Sequence, residues 1–154
     1  MSDEKPTTEL CSLDINGAVA NVTLMRSDVF NALNVQLISE LVDILSWTES
    51  RSVGTTLSLT DSEGSPYLRV LILRSDGKHF CAGADINMMR DAGARSVEEN
   101  RADSQRLDRL FNSLWSHPCF TIGAAQGVAL GGGAGLVACV DHCIGEPNTR
   151  IALS

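Results

Sequence analysis

Two glycine-centred stretches hold the residues of this chain best suited to chemistry. In residues 127–140, Gly131, Gly132 and Gly133 stand in a run of small residues that passes into an apolar, helix-compatible segment at Ala134. Ordering three consecutive glycines costs more backbone entropy than ordering any other triplet. Without Cβ atoms the backbone can turn sharply, approach a ligand closely and aim amide N–H groups outward at the start of a helix, where developing negative charge is best received. That would make an anion or oxyanion site. Close packing of the turn against a neighbouring element accounts for the same glycines, and spacing alone does not choose between the two. In the second stretch, residues 78–90, Cys81, Ala82, Gly83 and Ala84 are again small and precede a helix-compatible run, so their amides could face a ligand. His79 beside them has no visible catalytic partner and reads as a turn histidine.

Other chemistries are excluded by the same residues. A P-loop needs a Lys and a Ser or Thr after its last glycine, where this chain has Ala134, Gly135 and Leu136. A dinucleotide fingerprint counted from Gly131 would need a glycine where Leu136 stands. Cys11, Cys81, Cys119, Cys139 and Cys143 lie mostly among apolar neighbours, as reduced core thiols do. Cys139 and Cys143, with only His142 nearby, make a poor zinc site, and no metal is expected.

The elements that must position these stretches follow from periodicity. Residues 1–10 read as a mobile tail and residues 11–154 as one core. From Cys11 to Met25 apolar residues alternate around Asn16 and Gly17, which predicts a two-stranded antiparallel hairpin. After a polar turn, Leu33, Leu37, Ile38, Leu41, Val42 and Leu45 recur at helical spacing, ending near Trp47. Residues 48–67 are polar and aperiodic and read as a long surface loop insertion. The apolar, branched run from Leu68 to Arg74 predicts a strand covered on both faces. Residues 91–95 show no clear structure. Ser96 and Glu99 form a capping box before an apolar stripe of Leu107, Leu110, Phe111, Leu114 and Trp115, and Pro118 stops that helix. Residues 119–125 read as a buried strand, residues 141–144 as another, and Ile151 opens a further apolar run.

The composition bounds the partners. At 154 residues, 44% apolar and 20% charged, the chain is long enough to bury a core as one globular unit. Its net charge of −7, with scattered Lys and Arg, gives nucleic acid or an anionic membrane no electrostatic footing. No apolar run is long and glycine-free enough to span a bilayer. The acidic, polar start fits neither a secretory signal nor an Arg-rich transit peptide, so an intracellular location, cytoplasmic or in the mitochondrial matrix, is expected.

Taken together, residues 79–86 (His-Phe-Cys-Ala-Gly-Ala-Asp-Ile) and 127–133 (Gly-Val-Ala-Leu-Gly-Gly-Gly), preceded by Asn31, Ala32, Leu33 and Asn34, closely resemble the crotonase family of enoyl-CoA hydratases and isomerases. The match runs from about Leu13 to the end, interrupted by residues 48–67. The resemblance implies an α/β fold, a superhelix of ββα units, and an acyl thioester substrate carried on coenzyme A with no separate cofactor. It implies an oxyanion hole made by the N–H groups of Ala84 and Gly132. Substrate contacts would fall on Ala84, Asp85, Ile86, Asn87 and Gly132. The activity implied is hydration of an enoyl-CoA double bond through an enolate. Double-bond isomerisation is the alternative within the family, and a catalytically silent CoA-binding or subunit-interaction module is a third reading.

Two departures qualify that likeness. Hydratases of the family commonly carry a glutamate two residues after the glycine triplet, where this chain has Gly135. Their second carboxylate usually follows in a Leu-Ser-Glu stretch, and this sequence stops at Leu153 and Ser154. The branch with Gly at the first position and Leu-Ser-Glu at the second resembles the methylglutaconyl-CoA-type hydratases. The expectation is therefore an N-terminal portion of a longer protein, whose later helices usually build a homo-oligomer, a trimer or hexamer.

Overall fold

The computed structural model describes residues 4–54 and 57–153. A hairpin opens the chain: β1 (Cys11–Asn16) and β2 (Val19–Leu24) pair antiparallel about Gly17, where φ is +58°. A single 3-10 turn (Ser27–Val29) leads to α1 (Val35–Ser50), capped by Asn34, whose Oδ1 accepts from Leu37 N–H at 2.8 Å. Then come β3 (Val70–Ser75), α2 (Ile86–Ala92), α3 (Val97–Trp115), β4 (Phe120–Ala125), β5 (Val128–Leu130), α4 (Gly132–Cys139), β6 (His142–Gly145) and β7 (Arg150–Ala152). The main sheet has the order β1-β2-β3-β4-β6, parallel from β2 onward. Helical crossovers make that order, because parallel neighbours cannot be joined by a tight turn.

From β3 onward each unit gives one strand to this sheet and one extended stretch to a second layer. In that layer Leu33 bridges to Ala84, Cys81 bridges to Ala129, and β5 pairs in parallel with β7. The succession of strand, extended stretch and helix is the ββα superhelix. Its second layer carries both glycine-centred stretches side by side.

The core lies between the main sheet and the helices. Val22, Leu71 and Leu73 of the sheet meet Leu41 and Leu45 of α1, Leu110 and Leu114 of α3, and Leu136 of α4. All eight are buried to within 4% of full burial. The capping box at Ser96 forms as expected: Ser96 Oγ accepts from Glu99 N–H, and the Glu99 carboxylate accepts from Ser96 N–H. Among the described residues no helix is long and apolar enough to cross a membrane.

Several expectations need correction. The continuous apolar run in β3 is not covered on both faces: Leu71 and Leu73 are buried but Val70 and Ile72 only half-buried, because α1, α3 and α4 pack on the Leu71 side. Trp115 is not core. It stands 70% exposed, one residue and therefore about 100° around the helix from buried Leu114. The insertion expected from residue 48 starts later, since α1 runs to Ser50 and Thr48 is fully buried. Farther along, Val53 N–H donates to Leu68 O and Leu68 N–H to Arg51 O, so the excursion leaves and returns at one place. Of the tail expected over residues 1–10, residues 1–3 lie outside the described residues. Its inner end is anchored, with Glu9 and Leu10 N–H both donating to the Glu40 carboxylate.

Candidate active site

The site is assembled by fastening the loop between β3 and α2 to its neighbours. Asn31 is the main fastener. It is fully buried and left-handed at φ +57°, a conformation Asn tolerates better than other residues with a β-carbon. Its Oδ1 accepts from Arg26 N–H at 2.8 Å, and its Nδ2 donates to Asp76 O at 2.8 Å and His79 O at 2.9 Å. In the sequence Asn31 stands out only as part of a motif, and its signal is a polar residue in a short turn between two apolar elements.

His79 is a turn histidine with a partner: its Nδ1 accepts from Val128 N–H at 3.1 Å, and its ring meets Phe30 edge-on at 5.3 Å. This ties the loop to the start of β5. The loop then runs in register along β5, with Cys81 N–H donating to Val128 O and Leu130 N–H to Cys81 O. Beyond it Gly83 packs closely against the second glycine stretch. Its φ is +94°, and a β-carbon there would stand 2.7 Å from Leu130 O and 3.5 Å from the Gly132 amide nitrogen.

That approach sets the loop carrying Ala84 against the start of α4 at Gly132. Leu33 bonds to the residues on either side of Ala84, through Leu33 N–H to Gly83 O and Asp85 N–H to Leu33 O. In a parallel bridge of this kind the middle residue's own N–H points away from the partner strand. Gly132 opens α4, so its N–H has no acceptor within the helix. Among the described residues neither N–H donates to a protein group. Both helical starts expected at the glycine stretches exist, although α4 begins at Gly132 rather than Ala134. The three-residue strand β5, which lies within the second motif, has no signal of its own in the sequence.

The other expected contacts divide. Ala84, Asp85, Ile86 and Asn87 line one cleft of about 410 Å³ with Asp28, Val29, Phe30, Ala32 and Ala82. Ile86 is 72% exposed and open to a ligand. Asp85 presents almost no surface, at 8%, because its carboxylate is used internally. Oδ1 caps α2 by accepting from Asn87 and Met88 N–H, and Oδ2 lies 3.2 Å from Arg26 Nη2. Burial alone would raise this carboxyl's pKa, but the Met88 amide, the Arg26 guanidinium and the Asn87 amide outweigh it and hold the group below its ordinary range. Gly132 lies beyond the cleft, not in its lining.

The face of α4 is shaped by its lack of side chains. A β-carbon on Gly133 would meet Cys81 Cβ at 2.9 Å, so the first turn rests on the Cys81 backbone. A β-carbon on Gly135 would stand 2.9 Å from Cε1 and Cζ of Phe111. Gly135 therefore not only lacks a carboxylate; an aromatic ring from α3 holds its space. Burial pushes the thiols of Cys81 and Cys119 up to about 11 and that of Cys11 up to about 12, away from the thiolate form. Among the described residues no three His, Cys, Asp or Glu side chains gather as metal ligands.

Comparison with known proteins agrees with this architecture. The enoyl-CoA hydratase/isomerase family pattern matches residues 14–154. A crotonyl-CoA hydratase from Syntrophomonas wolfei is 31% identical over 133 residues, covering 86% of this chain and 45% of that protein. The crystal structure of an enoyl-CoA hydratase from Shewanella pealeana superposes with a TM-score of 0.76 at 35% identity, covering 89% of this chain and 46% of that one. That of an enoyl-CoA hydratase from Mycobacterium smegmatis superposes at 0.79 with 26% identity, covering 95% and 51%. The chain spans about half the length of these relatives. With the paired glycine loops, the ββα layers and a match over almost its whole length, the chain belongs to the enoyl-CoA hydratase/isomerase family.

Proposed function

We propose that the protein hydrates the double bond of an enoyl-CoA thioester, with the thioester oxygen held between the N–H groups of Ala84 and Gly132. The carrying observation is that two amides with no protein acceptor among the described residues lie on loops that pack together at Gly83, whose β-carbon position is 3.5 Å from the Gly132 nitrogen. Water adds its oxygen to the β-carbon, the π electrons move onto the thioester oxygen as an enolate, and a proton then reaches the α-carbon. Two pre-aimed donors stabilise that enolate, and losing one such donor costs on the order of 2.7–4 kcal/mol of barrier. The α4 N-terminus adds a favourable dipole. The CoA arm is assigned to the cleft lined by Ala84, Ile86 and Asn87. Asp85 then shapes that cleft instead of touching the ligand.

Proton transfer is assigned to neither Gly135, which has no side chain, nor Asp85, whose carboxylate is consumed by Arg26 and α2. The lack of a carboxylate on α4 favours keeping a second reading, double-bond isomerisation, which needs a single base and no added water. A homo-oligomer of the whole protein follows from the resemblance alone, and sedimentation checks it.

The test follows conjugated-thioester absorbance with crotonyl-CoA and with a branched enoyl-CoA. Hydration that disappears in Gly132→Val, with the melting transition retained, supports the proposal. Double-bond migration without hydration would move the assignment to isomerase. Thioester binding with no turnover of either kind would leave a silent CoA-binding module.

A further inference from the structure

We infer that Phe111 is a specificity-determining residue, its ring closing the acyl end of the Ala84 and Gly132 site as an apolar wall. The inference rests on the function proposed above. Gly132 and Gly135 are three residues apart and share one face of α4. Along that face lies a single ring: a β-carbon on Gly135 would be 2.9 Å from Phe111 Cε1 and Cζ, and one on Gly132 would be 4.0 Å from Cζ. Leu33 Cδ1 packs behind Gly132, 2.9 Å from its β-carbon position. Leu33 is only 1% exposed and offers a ligand no surface, whereas Phe111 is half-buried. Leu110 and Leu114, both buried on α3, fix the base from which the ring projects.

The direction of the ligand follows from the lining of the cleft. The carrier arm enters past Ala84, Ile86 and Asn87, where neither Gly132 nor Phe111 contributes. In the proposed site the acyl group then lies along the Gly132 and Gly135 face of α4, beside Phe111. The ring is hydrocarbon, so the group it suits is an apolar acyl chain whose size it limits. A side chain at residue 135 and the Phe111 ring occupy the same space. The space beside residue 135 of α4 is thus taken by an aromatic ring carried by α3.

The experiment measures binding of free CoA and of butyryl-, octanoyl- and dodecanoyl-CoA by calorimetry, for the wild type, Phe111→Ala and Phe111→Leu. These saturated thioesters do not turn over. Removing the wall should tighten the two longer thioesters relative to butyryl-CoA by about tenfold, the scale of a hydrocarbon-pocket discrimination, and leave free CoA unchanged. An unchanged chain-length preference in a folded variant overturns the inference, and Phe111→Leu decides it where Phe111→Ala fails to fold. A wild type that binds neither CoA nor butyryl-CoA overturns the site assignment itself, which is a distinguishable failure. A second readout needs no ligand. Gly135→Glu should lower the melting temperature in the wild-type background and do so much less in Phe111→Ala, because the ring has vacated the space; additive effects of the two substitutions would also overturn the inference.

Discussion

Gly83 and Gly132 meet so closely that a β-carbon on the first would stand 3.5 Å from the amide nitrogen of the second. One comes from the loop after β3 and the other from the start of α4, and the second layer of the superhelix holds them in register through Cys81 and Ala129. The proposed pair of donors thus depends on packing between distant segments, and neither loop carries both.

Gly83→Ala tests that contact. The left-handed φ of +94° and the 2.7 Å approach to the Leu130 carbonyl leave no room for a methyl group, and backbone cannot yield as a side-chain tip can. Strain of this kind costs about 1–3 kcal/mol, so urea unfolding should shift to a lower midpoint. Thioester turnover should fall further than the folded fraction accounts for, because the loops separate at the two amides.

Much of this arrangement is legible in residue types. Glycine runs mark where Cβ atoms are forbidden, and the alternation in β1 and β2, the apolar spacing of α1 and the cap at Ser96 predict their elements. What escapes the sequence is contact between segments far apart in the chain. Nothing local marks Phe111 as the ring over Gly135, or Thr48 as the partner of His117. Strands β5 and β7 have three residues each, too few to show a period, and they form because the second layer offers each a neighbour. Trp115 misled because a helical stripe read by spacing includes its edges.

Asn31 should be among the most sensitive positions for stability. Asn31→Ala removes three hydrogen bonds and leaves Arg26 N–H, Asp76 O and His79 O without that partner, a loss of about 1–3 kcal/mol for each group left unsatisfied in the interior. Alanine also tolerates the left-handed backbone poorly, by about 1–2 kcal/mol. Asn31→Gly separates the two causes. It should recover about 1 kcal/mol of the loss in denaturant unfolding, and a glycine variant no better than alanine would count against the left-handed contribution.

Acid sensitivity near neutral pH should trace to His117. Cys119 N–H donates to its Nδ1 at 3.1 Å and Thr48 Oγ1 lies 2.9 Å from Nε2, so the ring sits neutral with its proton assigned to Nε2. Burial lowers its pKa, against smaller upward pulls from Glu49, the Leu45 backbone and Asp141. The unfolded chain then binds a proton at a pH where the folded chain does not. Stability is full above the ordinary histidine value of 6.5 and falls as pH drops through it, by at most about 1.4 kcal/mol per pH unit. Melting temperatures at pH 7.5 and 5.5 should therefore differ more in the wild type than in His117→Gln.

The last expectation separates shaping the site from doing its chemistry. Asp85 stands next to a proposed oxyanion donor, yet its carboxylate caps α2 and pairs with Arg26, which also donates to the Ala32 carbonyl. Both side chains of the pair are largely buried, at 14% and 11% exposure, so breaking it leaves a poorly solvated guanidinium. Asp85→Asn keeps an acceptor for the helix cap but loses the ion pair, and should cost roughly 1–3 kcal/mol, between an exposed and a fully buried pair. The folded carboxyl titrates below its ordinary range, so the stability it gives is present above the unfolded value and lost as pH falls through the folded one. That places the wild-type loss in the acid range, well below the His117 window. If Asp85 only positions Ala84 and the cleft wall, the substitution should raise KM for the thioester and leave the pH profile of kcat unchanged above pH 6. A shifted or flattened profile would instead make Asp85 an acid or base in the reaction, against its placement here.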